Sequence, residues 1–566
     1  MKNQQSIFEK PWAVALLAIV FFVPFLGKVH LFDWDEINFA ESAREMLITG
    51  NYLRVQIDYQ PFWEKPPLFI WLQVLSMKTF GVNEFAARFP NAVIGLVTLL
   101  TFYFLGKRLY NARFGFLWAL AYVGSITPHL YFKSGIIDPW FNYFMFLSVV
   151  LLFPSDKPLR FFWAGVFAGL AVWTKGPVGV GIPTLTLGAY WALSYFQSKS
   201  PSQAPIYSFK NLFIFGLTAG LLTLGWMLAI IWESGWATFV AFLEYLYRLG
   251  ATSEADHGQP FYYHFVVVLI GCFPISVLGL PYVLAIFAPL VKKIGKTPKN
   301  PLPQGFALLM LCLFWVVMIV FSIVKTKIVH YSSMTYFPLS FLAALWLYRW
   351  LQNQVTWPKW VSTFFLVVGF VLSLALMAVP LIGIYTAFFT PYIDDTFVVG
   401  NLQAPVEWKG YEWFFGVGYF CIICAALFLK NQNKLLAIRT VFFATALLMF
   451  IYSAIVVPKI EGYTQQTVID FYESKRGQDI YVWPIGFKSY AQFFYFKKPP
   501  GVRPEASNEE WLINGPVDKP TFLISRIDRA EPYRSHPNLE LIKEENGFVF
   551  FRRKPDYQKI SESLNP

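Results

Sequence analysis

Long apolar runs, repeated along most of the chain, constrain this sequence more than any other feature. They fall at about 11–29, 91–106, 114–132, 140–153, 161–174, 177–196, 211–232, 262–290, 304–324, 332–348, 360–388, 413–429 and 440–457. A helix needs about 20 apolar residues to cross a bilayer, and most of these runs are near that length. The expected fold is therefore mainly α: a polytopic membrane protein with about thirteen transmembrane helices. Composition agrees, because 56% of the 566 residues are hydrophobic, 20% are aromatic and only 14% are charged. Soluble domains carry roughly a quarter charged residues.

The net charge of +12 has two readings. A nucleic-acid binder would concentrate basic residues on a soluble domain. Here many of them lie in short loops between apolar runs, so orientation explains them better and no nucleic-acid partner is expected. With the N-terminus in the cytoplasm, the inner loops carry Lys107, Arg108 and Arg113, then Lys157 and Arg160, then Lys199 and Lys210. The later inner loops carry Lys292, Lys293, Lys296 and Lys299, then Arg349 and Lys359, then Lys430, Lys434 and Arg439. An odd number of spans puts the C-terminus outside.

Three segments then lie outside: about 31–90, about 233–261, and the tail after Pro458. The first contains amphipathic stretches such as Ala40–Leu47, expected along the membrane surface. The tail has ordinary soluble composition, with strands expected at 479–483, 521–525 and 548–551. The division is a transmembrane domain over 1–457 and a small extracytoplasmic α/β domain over 458–566. The first apolar run follows Lys2 and Lys10 like a signal peptide, but no small-residue cleavage site ends it, so it reads as a retained span. The four cysteines lie in or beside apolar runs; Cys421 and Cys424 read as packing within a span rather than a redox or metal pair.

Ionisable residues cluster at the outer ends of the spans. Asp33, Asp35 and Glu36 follow the first run, and Glu64-Lys65-Pro66-Pro67 follows in the same loop. Asp138-Pro139 precedes the fourth run, and Lys175-Gly176-Pro177 joins the fifth and sixth. Arg248 and His257 lie in the second outer loop, and His330-Tyr331 precedes the tenth run. Each has a bland reading. Asp35 and Glu36 could cap a helix, Glu64-Lys65 could be a solvated pair, and Lys175 could snorkel. Asp138-Pro139 could simply start a helix, and His257 and His330 could be ordinary interfacial histidines. Carboxylates near hydrocarbon are costly, however, and five distant segments bring carboxylates and cations to one depth. That combination suits a site where an anionic lipid head group meets an acid–base centre.

Three motifs carry a family resemblance: Asp-Glu-x-x-x-Ala-Glu-x-Ala-Arg-Glu-Met at 35–46, Phe-x-Glu-Lys-Pro-Pro-Leu at 62–68 and Lys-Gly-Pro-Val-Gly at 175–179. With them the chain resembles the GT-C membrane glycosyltransferases. The branch is that of the lipid A aminoarabinose transferase and the bacterial relatives of protein O-mannosyltransferases. The resemblance implies a GT-C fold in a bacterial inner membrane. It also implies transfer of a sugar from a polyprenyl-phosphate donor to an acceptor at the outer face, usually with inversion. The acceptor would be lipid A, another envelope glycan or a protein.

By motif, Asp35 corresponds to the catalytic aspartate and Asp138 to a second acidic position. Glu64 and Lys65 correspond to the pair beside the donor phosphate, with Lys175, His330 and Tyr331 at further cavity positions. Members often carry Arg-Tyr where this chain has Asn38-Phe39. A phosphate-gripping cation is thereby lost, and Lys65, Arg248 or His257 would have to compensate. The motifs require no cofactor. The one option they leave is a divalent cation on Glu64, Asp138 and His257, against a plain hydrogen-bond network. The competing function is a polytopic lipid or glycan transporter or flippase; such proteins often show internal repeats, and none is apparent here.

The charge pattern gives a topological prediction. A reporter fused after Pro458 should be active only on the outer side of the membrane, and cytoplasmic activity there would overturn the odd-span arrangement.

Overall fold

A computed structural model describes residues 9–62, 64–197, 207–251, 258–288 and 304–555. The chain is mostly helical, with a small sheet near its C-terminus. Each expected apolar run is helical over much of its length. The first part of the chain forms α1 (Pro11–Phe22), α2 (Asp35–Thr49), α3 (Leu68–Phe80), α4 (Glu84–Leu109) and α5 (Ala112–Val123). There follow α6 (Ile126–Tyr131), α7 (Asp138–Leu151), α8 (Pro158–Lys175), α9 (Val178–Gln197) and α10 (Phe209–Ala251). Two shorter helices, α11 (Tyr263–Gly271) and α12 (Ile275–Val283), occupy the run expected at 262–290. Later helices span Phe306–Ile323, Tyr336–Leu351, Lys359–Ile384, Phe414–Leu429 and Lys434–Ile455. Among the described residues, 5 helices are long and apolar enough to cross a membrane by length and composition, and others are shorter apolar helices.

Local chemistry sets the helix ends. The Asn83 side chain accepts from the Ala86 N–H at the start of α4, and Asn111 does the same for Phe114 at the start of α5. Small residues set the packing. A Cβ on Gly115 would lie 2.2 Å from the Tyr103 carbonyl oxygen, so α4 and α5 meet backbone to backbone only because this position is glycine. Around that contact the core is aromatic: Phe102 stacks on Trp118 at 4.4 Å, and Phe337 and Phe341 meet the same pair edge-on.

Two expected outer loops differ from the sequence reading. The segment 233–261 is not a loop throughout, because α10 continues to Ala251. Gly235, with φ 84° and ψ 166°, interrupts the helix in a conformation that glycine tolerates. The chain then reverses. Phe242 packs against Trp226 at 5.0 Å, whereas 16 residues of straight helix would separate them by about 24 Å.

The second difference concerns α2, which is enclosed by protein rather than open on its polar face. Every residue from Glu36 to Met46 is buried. Its apolar side chains Ile37, Ala40, Ala43 and Met46 share one core with Ile70 and Val74 of α3 and with Ile469, Tyr472, Phe494 and Phe550 of the tail. Polar contacts reinforce that core: Tyr495 accepts from the Leu31 N–H at 2.6 Å, Arg44 donates to the Lys498 carbonyl at 3.0 Å, and Lys498 pairs with Asp58 at 2.5 Å.

Two short strands after α2, β1 (Gln56–Ile57) and β2 (Gln60–Pro61), pair antiparallel, and the tail sheet comprises β3 (Tyr481–Pro484), β4 (Thr521–Arg526), β5 (Leu539–Glu545) and β6 (Phe548–Arg553), in the order β3-β4-β6-β5. The β3 and β4 strands run parallel with Val482 opposite Phe522; β4 and β6 run antiparallel with Ile524 opposite Phe550. Three strands lie where the sequence places them. The edge strand β5 was not expected, because only Leu539 of its seven residues is buried and it has no apolar alternation to read. The four cysteines are free, with Cys421 and Cys424 exposed on the helix Phe414–Leu429.

The buried α2 contains a titratable pair. Glu45 accepts from the Tyr59 N–H at 2.8 Å, and burial together with the neighbouring Glu41 pushes its carboxyl up to about 9. A raised carboxyl stabilises the fold fully below its unfolded value and loses that contribution as pH rises toward 9. Glu45→Gln keeps the shape and stays neutral. It should raise Tm by roughly 2–4 °C more at pH 8 than at pH 5, measured by thermal unfolding in detergent; an equal effect at both pH values would contradict the assignment.

Candidate active site

Helix direction explains why the charged segments meet. Asp138 begins α7 and Lys175 ends α8, so the two antiparallel helices present them at the same end. Asp35 begins α2, and Glu64-Lys65 lies in the turn before α3. His330 and Tyr331 sit in the 3-10 turn Val329–Thr335 that leads into the helix Tyr336–Leu351.

The centre of the cluster is a chain of alternating charges. Lys175 Nζ donates to Asp138 Oδ1 at 2.5 Å, and the ammonium also lies 4.9 Å from the centre of the Tyr331 ring. His330 Nε2 is 3.9 Å from Asp138 Oδ2 and 3.4 Å from Asp35 Oδ2. The two carboxylates differ in environment: the Asp138 side chain is 3% exposed and that of Asp35 is 33% exposed. Burial pushes the His330 imidazole below its ordinary value. Asp138 and Asp35 oppose that shift, while Lys175 and Lys65 add to it. His330 is thus poised neutral between two acids.

Lys65 lies on the other side of Asp35. Burial works against its charge, but Tyr245, Asp35, Tyr331 and Glu64 outweigh burial and hold the ammonium well above the ordinary lysine range. Its Nζ is 5.8 Å from the centre of the Tyr245 ring on α10. Arg248 follows Tyr245 by three residues on that helix and is exposed. Lys65 also lines an apolar groove together with Trp71, Trp173, Trp226, Ile230 and Arg54. The indoles of Trp71 and Trp173 are 5.6 Å apart. Arg54 Nε is buried without a hydrogen-bond partner.

The structure therefore brings Asp35, Lys65, Asp138, Lys175, His330 and Tyr331 together, with Glu64 beside Lys65. The snorkelling reading of Lys175 does not survive, since its ammonium pairs with Asp138; Asp138-Pro139 does start a helix, and Asp138 is also the partner of Lys175. His257 lies outside the described residues. Among those described, no group of three or more His, Cys, Asp or Glu suits a metal ion, and one oxygen of Asp138 is committed to Lys175. At the Asn38-Phe39 position, Asn38 is buried and Phe39 packs edge-on against Phe69 at 5.8 Å. Sequence reasoning did not single out Tyr245 or Arg54. Neither belongs to a motif, and each reaches the site only through the reversal at Gly235 or the turn after α2.

Comparison with known proteins bears out the resemblance to the GT-C class. Residues 64–223 match the family described as dolichyl-phosphate-mannose-protein mannosyltransferase. Among curated proteins, the chain is 27% identical over 345 residues to the undecaprenyl phosphate-alpha-4-amino-4-deoxy-L-arabinose arabinosyl transferase 2 of Proteus mirabilis; this covers 58% of each chain. It is 27% identical over 406 residues to the corresponding transferase of Pectobacterium atrosepticum, covering 68% of each. The chain thus spans under two thirds of the first relative's length and just over two thirds of the second's. The fold matches the crystal structure of ArnT from Cupriavidus metallidurans bound to undecaprenyl phosphate with a TM-score of 0.68, at 16% identity, over 97% of this chain and 98% of that one. The apo structure of that protein matches with a TM-score of 0.70. The chain therefore shares the fold of that crystal structure, has 5 helices among its described residues that are long and apolar enough to cross a membrane, and is similar in sequence to aminoarabinose transferases.

The enclosed ion pair gives a stability prediction. Removing one partner of such a pair leaves an uncompensated charge and costs roughly 3–5 kcal/mol. Lys175→Met should lower Tm clearly, and adding Asp138→Asn should recover most of the loss. An unchanged Tm in Lys175→Met, measured in detergent, would show that the pair is solvated.

Proposed function

We propose that this protein transfers a sugar from an undecaprenyl-phosphate donor to a lipid acceptor of the lipid A type at the outer face of the bacterial inner membrane. The observation that carries the reading is the groove that Lys65 lines. An apolar slot lined with indoles and carrying a half-buried ammonium in its wall suits a polyprenyl tail joined to a phosphate. The relatives support the donor class, since their names specify undecaprenyl phosphate carrying 4-amino-4-deoxy-L-arabinose. The transporter reading is not favoured, because both relatives and fold neighbours fall with transferases.

The arrangement divides the work. The leaving group is a lipid phosphate, and its developing charge needs a fixed cation in a site of low dielectric. Lys65 supplies that cation, and Arg54, which lines the same groove, assists it in place of the cation missing at Asn38. Asp35 is the more accessible carboxylate and faces the acceptor. It removes the proton of a hydroxyl acceptor as that acceptor attacks the anomeric carbon. An acceptor phosphate is already ionised, and Asp35 then orients it. Asp138 is enclosed and paired, so it acts through Lys175 and His330, holding the imidazole beside Asp35. In this arrangement about thirteen spans carry the site over residues 1–457, the N-terminus is cytoplasmic, and the domain over 458–566 is periplasmic.

The test is transfer by purified protein in detergent, supplied with an undecaprenyl-phosphate-linked sugar and lipid A, with products read by mass spectrometry. A lipid A species heavier by one sugar supports the reading; a consumed donor with no lipid product, or no consumption at all, overturns it. Within that assay Lys65→Ala should weaken donor binding and lower kcat together, by roughly 10²-fold in kcat/KM. Lys65→Arg should recover only part, since a planar guanidinium does not reproduce a compact ammonium. A solvated Glu64–Lys65 pair predicts almost no change, so unaltered constants in Lys65→Ala would refute the phosphate clamp.

A further inference from the structure

Glu36, next to Asp35, is enclosed and uses both carboxylate oxygens. Oε1 accepts from Arg88 Nε at 2.9 Å and from the Gly135 N–H. Oε2 accepts from Arg88 Nη2 at 2.7 Å and from the Phe32 N–H at 3.0 Å. One carboxylate thus ties together the entry to α2, the α4 helix and the segment that leads into Asp138.

Arg88 completes the tie. Its remaining donors reach the carbonyls of Leu26 and Val29 at 2.8 Å and of His30 at 2.9 Å, fixing the strand of chain between α1 and α2. One turn further along α4, Asn91 Nδ2 donates to the carbonyls of Ser134 at 2.6 Å and Ile136 at 2.7 Å. Residues 134–136 are therefore gripped from both sides, by Glu36 at Gly135 and by Asn91 at its two neighbours. Asp138 follows two residues later.

We infer that Glu36 on α2 and Arg88 and Asn91 on α4 form a jig that sets the spacing between Asp35 and Asp138 on either side of His330, and that they are positioning residues for the transfer reaction. None of the three touches the reacting atoms. Bidentate arginine–carboxylate pairs fix angle as well as distance, which is what a site needs when a misplacement of about 1 Å costs roughly 10²-fold in rate. The ion pair alone would not demand this geometry. An enclosed pair is weak evidence for stability, since apolar residues of equal volume do as well. Its placement between the two acid-bearing segments is what points to positioning.

The inference rests on the transferase reading above, and its test separates the two. In the transfer assay, Glu36→Gln should lower kcat roughly 10-fold while leaving the donor KM within about twofold. In an Asp35→Asn background the same change should lower the residual rate no further, because Glu36 acts only through the placement of Asp35. Asn91→Leu is the second variant if Glu36→Gln folds poorly, with the same expected split.

A geometric readout needs no turnover. Cysteines placed by Asp35→Cys and Asp138→Cys, with Cys421 and Cys424 changed to serine, should be joined by a short bifunctional thiol reagent. The yield should fall severalfold when Glu36 becomes Gln. Equal loss of rate in both Asp35 backgrounds, or an unchanged cross-linking yield, would overturn the positioning role. Absence of transfer by the parent protein with normal cross-linking behaviour would instead overturn the function and leave the jig standing.

Discussion

A carboxylate that leaves water must be matched, and in this protein the match is Lys175 against Asp138. The pair lies where α7 and α8 end together, among the Phe141 and Tyr331 rings. Because the two charges cancel, the interior of the site can stay dry around them. His330 then sits between a neutralised acid and a more accessible one, and burial keeps its imidazole neutral. On the far side of Asp35, Lys65 stays charged despite burial, with Tyr245, Asp35, Tyr331 and Glu64 around it. In the proposed reaction that asymmetry is the point: one cation is spent inside the protein, and the other faces the groove where a lipid phosphate would lie.

The second constraint is that the elements carrying this array must be held in place. The fold places α2 beneath the tail, so the residues after Asp35 are enclosed by Ile469, Tyr472, Phe494 and Phe550. The tail also fastens the loop before α2, through Tyr495 to Leu31 and through Ser489 and Tyr490 to Asp33. A small sheet with an exposed edge strand would by itself do nothing for catalysis. Packed on α2, it rigidifies the element that carries the proposed base, as sites built on supported helices require.

Much of this was legible in the sequence. Apolar runs gave the helices, because a residue in hydrocarbon has few alternatives to α. Asp35, Lys65, Asp138, Lys175 and His330 stood out because ionisable groups at the ends of apolar runs are expensive and therefore conspicuous. What escaped depends on distance along the chain. Glu36 looked like a helix cap until Arg88, 52 residues away, appeared as its partner. Tyr245 reaches Lys65 only because Gly235 turns α10 back on itself, and a single glycine in an apolar run does not announce a reversal. The burial of α2 was illegible for the same reason: its amphipathic pattern fits a membrane surface as well as the underside of a tail domain. The β5 strand carries one buried residue and so offers no period to detect.

The central claim is a direct displacement: a phosphate held at Lys65 leaves from one face of the sugar while the acceptor, oriented by Asp35, attacks from the other. Asp138, spent on Lys175, is not available as a nucleophile. The most direct measurement is the anomeric configuration of the product, determined by NMR on material made from a donor of known configuration. The account predicts inversion in a single step. Retention would mean a covalent sugar–enzyme intermediate and would contradict the division of labour between Asp35, Lys65 and Asp138.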